Sequence, residues 1–366
     1  MYLEAISVSG LRNLKGSIAT APGLNILIGE NGAGKTNWLE AIGILASSRS
    51  FRTVRLAEAL AFGSETGTVS GDVRESPEIV RRLQVVVGTA AKTLLVNDKK
   101  ETVQGYLGQL HAVVFTADEL DIVRGQPEAR RRFLDSAIVS LHPPFVQVFA
   151  DYSRIVKQKN ALLQQARDAG SATDHVHASV VPWNQQLSSN AARIHRARLR
   201  IVERLNDALE RSLFSREEIG VAYRSSLEGK GDLADYEALM NERLELRLQA
   251  EIAAGHCLVG PHRDDLEITF DGLDIRKFGS SGQQRSALLL LLLASIAVYN
   301  ATRGEYPLFL IDDIDAELDY RRIGSLLEYL DGKTQTFVTT SKDSFTERFG
   351  ARGRIFRVQA GAAEIQ

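Results

Sequence analysis

The sequence predicts an α/β nucleotide-binding fold whose parts lie at both ends of the chain, with a mostly helical insertion between them. Three observations carry this. A phosphate-loop pattern near the amino terminus lies between a strand and a helix, an apolar strand near the carboxyl terminus ends in two acids, and the middle third changes to helical periodicity. At 366 residues the chain is long enough for two compact units, by the rule of about 150 residues per domain.

Taken in order, the first 41 residues read as strand, turn, strand, phosphate loop and helix. Leu24-Asn25-Ile26-Leu27-Ile28 is a short β-branched apolar run, the mark of a buried strand, and Asn37-Trp38-Leu39-Glu40-Ala41-Ile42 starts a helical pattern. Between them Gly29-Glu30-Asn31-Gly32-Ala33-Gly34-Lys35-Thr36 spells G-x-x-x-x-G-K-T. Its glycines let successive backbone N–H groups curl around phosphates, the helix start adds its positive end, and Lys35 adds a mobile point charge. Thr36 offers a hydroxyl to Mg²⁺. The chemistry predicted is binding of ATP with Mg²⁺.

Residues 68–103 alternate apolar runs (83–87 and 93–96) with turn signals such as Val96-Asn97-Asp98-Lys99, which predicts an antiparallel meander. From about Phe145, Ile155, Leu162, Leu163 and Ala166 mark one helical face, and Leu187, Ile194, Ile201 and Ala208 recur every seven residues on another. The polar segment 168–179 is expected to break these helices, and 229–232 to precede a third over 233–253. Sheet-like sequence returns at 266–270 with a turn at Asp271-Gly272. The remainder alternates: helix over 286–302, strand over 308–311, helix over 320–330 and strand over 336–339. Neither an internal repeat nor a low-complexity tract is evident.

Composition bounds the function class. Charged residues at 25% and hydrophobic ones at 44% describe an ordinary globular chain. The longest apolar run, 287–294, is far short of the roughly 20 residues that span a bilayer, and the amino terminus lacks a secretory pattern, so a cytoplasmic protein is expected. Cys257 is the only cysteine, which excludes an intrachain disulfide or thiolate cluster. The net charge of -2 places any nucleic-acid contact on a local patch. His175 and His177 form H-x-H with nothing nearby to complete a ligand set, and read as part of a solvated loop.

Pro307-Leu308-Phe309-Leu310-Ile311-Asp312-Asp313 is an apolar strand ending in acids, the pattern that faces Mg²⁺ and water across from a phosphate loop. Asp312 is the expected metal-side carboxylate, and Asp313 is placed to polarise the attacking water. About 25 residues earlier, Phe278-Gly279-Ser280-Ser281-Gly282-Gln283-Gln284-Arg285 opens a strongly apolar helix. This segment resembles the signature of ABC-type ATPases. The resemblance implies that Ser280, Gly282 and Gln283 cap the γ-phosphate held by a second, head-to-tail subunit, making ATP part of a homodimer interface. Ala316-Glu317-Leu318-Asp319 resembles the D-loop with Ala316 in place of the usual Ser. Where many such ATPases carry a switch histidine, Thr339-Thr340-Ser341 brings hydroxyls that reach toward γ-phosphate, Thr340 among them, without a switchable charge. Slow hydrolysis is expected.

Over essentially its whole length the chain resembles the RecF family of bacterial recombination and repair proteins. The resemblance rests on Gly10-Leu11-Arg12-Asn13, on the run from Gly29 to Ile42, on Ser50-Phe51-Arg52, on Phe115-Thr116-Ala117-Asp118-Glu119-Leu120, on Gly125-Gln126-Pro127 with Arg130-Arg131-Arg132-Phe133-Leu134-Asp135, and on Leu258-Val259-Gly260-Pro261-His262-Arg263-Asp264-Asp265-Leu266. Leu11 and Leu14 replace aromatics common in the family, and Ala117 replaces a Pro. The resemblance implies an ABC-type ATPase head with an antiparallel β subdomain (residues 1–135 and 255–366) and a helical arm (136–254). It places Arg12, Asn13 and Asn37 at the nucleotide with the loop residues. It also implies an ATP-dependent dimer on double-stranded DNA at single-strand/duplex junctions, acting with RecR and RecO to load RecA in repair, replication-fork maintenance and the SOS response, with weak DNA-stimulated ATPase activity.

Arg193, Arg196, Arg200 and Arg204 share a helical face and, with Arg130 and Arg131, are the candidate DNA contacts, although Glu203, Asp207 and Glu210 intersperse the stripe. For His262 and its motif a structural role is expected, with Arg263 paired to a carboxylate. Two other readings share the nucleotide motifs. A transporter ATPase subunit is disfavoured by the helical insertion and by the roughly 245 residues between phosphate loop and signature. A scaffold that holds ATP without productive turnover fits the missing histidine.

Overall fold

The computed structural model describes residues 1–170, 173–209 and 218–366, without the side chains of 173–175. Two compact units result. Residues 1–120 and 285–366 form one, and the described residues between 121 and 284 form the other.

The first unit holds two six-stranded sheets. One is mixed, in the order Ala362–Ile365, Gly353–Gln359, Leu24–Ile28, Thr336–Thr340, Leu308–Ile311, Ala112–Phe115, and every pair is parallel except the hairpin that begins this order. The phosphate-loop strand Leu24–Ile28 is therefore central and buried from Asn25 onward, as its unbroken apolar run predicts. The other sheet is antiparallel and contains Tyr2–Ser9, Gly16–Ala19 and the expected meander Thr66–Ser76, Ile79–Gly88, Lys92–Val96, Lys99–Glu101. Its last turn uses Asn97 (φ 49°) and Asp98 (φ 62°), residue types that tolerate the left-handed region a two-residue hairpin needs.

The helix Lys35–Ser47 follows the loop and is buried throughout 38–46. It packs on strands of both sheets, so an all-round apolar helix is what the sequence requires. Gly71 makes the approach close: a Cβ there would stand 2.5 Å from Leu45 Cδ2. The Tyr106 hydroxyl ties the helix end by donating to the Leu45 carbonyl at 2.6 Å.

Strand Leu308–Ile311 and helix Tyr320–Leu330 have the expected bounds. The helix Ser281–Arg303 starts earlier than expected, and by length and composition it passes for a membrane span. Two-thirds of its apolar window is buried inside the protein. The strands Gly353–Gln359 and Ala362–Ile365 were not anticipated from sequence, since only short apolar stretches mark them.

The second unit is helical with a small sheet. Helices Pro127–Leu141, Phe145–Asp168, Thr173–Leu209, Tyr236–Leu246 and Leu248–Ala254 accompany the antiparallel strands Ile219–Arg224, Asp265–Phe270 and Leu273–Asp274. Ile155, Leu163, Leu187, Ile194 and Ile201 are buried, as their periodicity predicts.

Three expectations change. Helix resumes at Thr173, so His177 lies on a helix and not in a loop, while the His175 side chain and Glu210 lie outside what is described. The third helix is two, divided at Arg247. The strand Ile219–Arg224 was missed because its strand partners, 265–270, are more than forty residues away. Among the described residues no group of His, Cys, Asp and Glu forms a metal cluster.

Candidate nucleotide site

The phosphate loop, the acidic strand and the side chains bonded to them all lie in the first unit. The phosphate loop leaves its strand at Gly29, where a Cβ would come within 2.4 Å of the Val358 carbonyl oxygen. It enters its helix at Gly34, whose φ of 112° is open to glycine. Lys35 Nζ donates to the carbonyls of Gly29 at 2.8 Å and Glu30 at 2.9 Å. The ammonium thus rests on the rim of its own loop, where phosphate oxygens would be stronger acceptors. Glu30, Asn31 and Gly32 form the exposed lip.

Across from the loop, strand Leu308–Ile311 delivers Asp312. Thr36 Oγ1 donates to its carboxylate at 2.9 and 3.0 Å although the two residues are 276 apart in sequence. Thr339 Oγ1 donates to the same carboxylate at 2.7 Å and itself accepts the Asp313 N–H at 2.7 Å. The structure therefore places Thr339 at the acids. Thr340, the residue expected from sequence, is fully buried and accepts the Lys342 N–H at 3.1 Å. Period-two alternation along the strand decides this, since neighbours face opposite ways.

Asp313 occupies the left-handed region, φ 49° and ψ 51°, and is exposed. Partial desolvation of its carboxyl in the cleft raises its pKa above the ordinary value, as do the nearby charges of Asp315 and Asp312, against the pull of Lys35.

Sequence reasoning missed Glu40. It is 1% exposed and accepts Arg12 Nη2 at 2.8 Å and Nε at 2.9 Å, Arg52 Nη1 at 3.3 Å and the Ser50 hydroxyl. Burial alone would raise its pKa, but the hydrogen bonds from Arg12 and Ser50 and the charges of Arg12 and Arg52 hold it below the usual carboxylate value. An acid inside an otherwise apolar helix was the available signal. The Arg12 guanidinium is thereby committed to Glu40 and, through Nη1, to the Glu58 carbonyl. Asn13 accepts from Asn37 at 2.8 Å, and Asn37 accepts from Arg52 at 2.6 Å.

In the second unit Ser280 caps the helix that follows. Its N–H donates to Gln283 Oε1 at 2.8 Å and its hydroxyl accepts the Gln283 N–H at 3.3 Å, a reciprocal capping box. Ser280, Ser281 and Gly282 are exposed, and a Cβ on Gly282 would meet nothing within 4 Å. The chain's own packing does not demand glycine there.

The basic candidates divide. Arg130 is 3% exposed, pairs with Asp265 through two hydrogen bonds of 2.6 and 2.9 Å, and donates to the Gly125 carbonyl. Arg131 donates to the Asp264 carbonyl at 2.8 Å. Arg193, Arg196 and Arg200 are exposed, with Arg193 6.0 Å from the Phe145 ring centroid. Arg198, which falls outside the predicted stripe, is buried and joins Asp135 at 2.8 Å to the Pro261 carbonyl at 2.7 Å.

The 258–266 motif is a hub of such contacts. His262 is bonded to the Tyr152 hydroxyl at 2.7 Å and the Cys257 carbonyl at 3.2 Å, and burial pushes its pKa down to about 4. Arg263 donates to the Cys257 carbonyl at 3.0 Å, which corrects the expected carboxylate partner.

Comparison with known proteins gives one answer. The family described as RecF/RecN/SMC N terminal domain matches residues 2–364. The DNA replication and repair protein RecF of Lactobacillus acidophilus is 33% identical, covering 100% of this chain and 99% of that protein. The protein of the same name from Synechococcus sp. strain JA-3-3Ab is 36% identical over 99% and 97%. A solved structure of the recombination mediator protein RecF with ATP in the RecFOR pathway superposes with a TM-score of 0.89 at 29% identity, covering 100% of this chain and 97% of that one. The Smc head domain from Pyrococcus yayanosii shares the fold, with a TM-score of 0.52 at 16% identity.

Proposed function

This chain belongs to the RecF/RecN/SMC N-terminal family and within it to the RecF proteins of DNA replication and repair, and from that premise we propose that it is an ATP-switched clamp on DNA. The observation that carries the proposal is the Thr36–Asp312 bridge, which unites two motifs from opposite ends of the chain in a single phosphate-facing constellation.

In this reading the N–H groups of 29–36 and Lys35 hold the β- and γ-phosphates. Thr36 and Asp312 present a hydroxyl and a carboxylate, hard oxygen donors that fit Mg²⁺ with room left for phosphate and water. When bound, Mg²⁺ would neutralise charge on the β- and γ-oxygens. Asp313 takes a proton from the water whose oxygen attacks the γ-phosphorus as the bond to the bridging oxygen breaks and ADP leaves. Its raised pKa makes it a stronger base than an ordinary aspartate. The partner subunit's Ser280, Gly282 and Gln283 close the γ-phosphate from the other side, so ATP joins two copies head to tail. Residues 1–135 and 255–366 act as the head and 136–254 as the arm. The dimer holds duplex DNA beside a single-stranded gap, works with RecR and RecO to load RecA, and is reset by slow hydrolysis in the cytoplasm.

Sedimentation velocity without ligand, with ATP and Mg²⁺, and with both plus a short duplex tests this. A monomer that becomes a dimer only with ATP, and more completely with duplex, is expected. An ATP-induced dimer indifferent to DNA would sink the clamp, and no dimer at all would sink the signature assignment.

The lack of a switch histidine at 339–341 favours one second reading, a scaffold that holds ATP without productive turnover. Asp313→Asn separates the two, because a scaffold works as well with it whereas a cycling clamp is trapped as the dimer.

A further inference from the structure

We propose that the hairpin turn at Ala360 and Gly361 positions the phosphate loop for nucleotide, an inference that rests on the nucleotide reading of that loop. No sequence motif marks this turn. It joins strands Gly353–Gln359 and Ala362–Ile365, and the first of these runs parallel to the phosphate-loop strand, with Arg357 beside Ile28 at the point where the loop begins.

Three backbone segments meet there: the hairpin, the phosphate loop and residues 13–15. The Gly361 N–H donates to the Ala33 carbonyl at 2.8 Å, inside the phosphate loop, and the Gly361 carbonyl accepts the Lys15 N–H at 3.3 Å. The Val358 carbonyl lies against Gly29, so close that a Cβ on Gly29 would reach it at 2.4 Å. A Cβ on Gly34 would stand 3.2 Å from Gly361 Cα and 3.0 Å from Asn13 Oδ1. The tightest contact is at Gly361 itself, where a Cβ would fall 1.8 Å from the Asn13 carbonyl oxygen.

Gly361 also has φ 86°, so glycine is required there by both conformation and space. Ala360 has φ 47°, a left-handed conformation that costs a non-glycine residue stability and persists only where the surroundings hold it. A phosphate loop binds through N–H groups that must already point inward, and any freedom it keeps is lost on binding. By fixing the Ala33 carbonyl and walling Gly29 and Gly34, the turn removes that freedom in advance. Gly361 is thus a positioning residue, acting on phosphate only through the loop.

The test is ATP affinity by calorimetry on the full chain, with melting temperature in parallel. Gly361→Ala should weaken ATP binding about tenfold or more while the protein stays folded. Gly332→Ala, which imposes a left-handed cost at another turn and whose Cβ would meet nothing within 4 Å, should lower the melting temperature and bind ATP as the native chain does. Hydrogen exchange on the native chain gives an independent readout: ATP should slow exchange of the 358–362 amides. Native-like ATP affinity in folded Gly361→Ala overturns the proposal, and so does exchange that ignores ATP if that variant does not fold. If the native chain itself fails to bind ATP, the nucleotide reading falls and this inference with it.

Discussion

Asp313 shows how a single residue carries chemistry that its neighbours set. Partial desolvation and the charges of Asp315 and Asp312 disfavour its ionised form, so its pKa lies above that of a free aspartate, about 3.9. A general base works only when ionised. ATP turnover should therefore fall on the acid side at a higher pH than a free aspartate would give, and Asp313→Asn should abolish turnover while ATP still binds. A pH–rate profile flat down to about pH 4 would exclude Asp313 as the base. Stability has its own residue-scale test in Lys159 and Glu251, which are 2.7 Å apart and both 0% exposed. Glu251 also accepts the Leu258 N–H at 2.7 Å. Glu251→Gln leaves a buried ammonium without its counter-charge and should cost about 3–5 kcal/mol in urea unfolding, whereas Lys159→Met with Glu251→Leu should recover most of it. Lys35, Thr36 and Asp312 were legible in the sequence because phosphate chemistry demands those residue types at that spacing. Glu40 was not, since a glutamate in a helix has no meaning until its partners are known, and among the hydroxyls of 339–341 only the facing of the folded strand selects Thr339 over Thr340.

At the scale of elements, the signature helix has two separable properties. Ser280 caps it through the Gln283 N–H, and Ser280 is exposed at its start. Ser280→Ala removes the capping hydroxyl and should lower monomer stability by about 1 kcal/mol. Ser280→Arg puts a long charged side chain where a partner's γ-phosphate must approach. It should leave ATP binding intact and abolish the ATP-induced dimer in sedimentation, and dimers that persist would refute the sandwich. Element reading from sequence succeeded where one periodicity ran uninterrupted, as in Leu24–Ile28, Leu308–Ile311 and Tyr320–Leu330. It failed at Ile219–Arg224 and in the final hairpin, short strands stabilised by pairing with distant segments.

For the whole molecule, the net charge of -2 leaves DNA affinity to a local patch, and salt dependence is the measure of that patch. Arg196 and Arg200 are exposed. Replacing both with Ala should reduce the slope of log affinity against log salt by about 0.9 for each phosphate that is no longer neutralised. Arg130→Ala should leave the slope alone and lower stability, because it strands Asp265. An unchanged slope in the double variant would remove the stripe from the DNA surface. Taken alone, the sequence determined that this chain is an α/β nucleotide-binding protein with a helical insertion and a RecF-like set of motifs, because local spacing and hydrophobic period are properties of neighbouring residues. Only the tertiary structure decided that Thr36 meets Asp312, that Arg130 is spent on Asp265 while Arg196 faces solvent, and that an unmarked hairpin turn walls the phosphate loop. Each of these depends on which distant backbones pack together, and packing is a property of the folded chain as a whole.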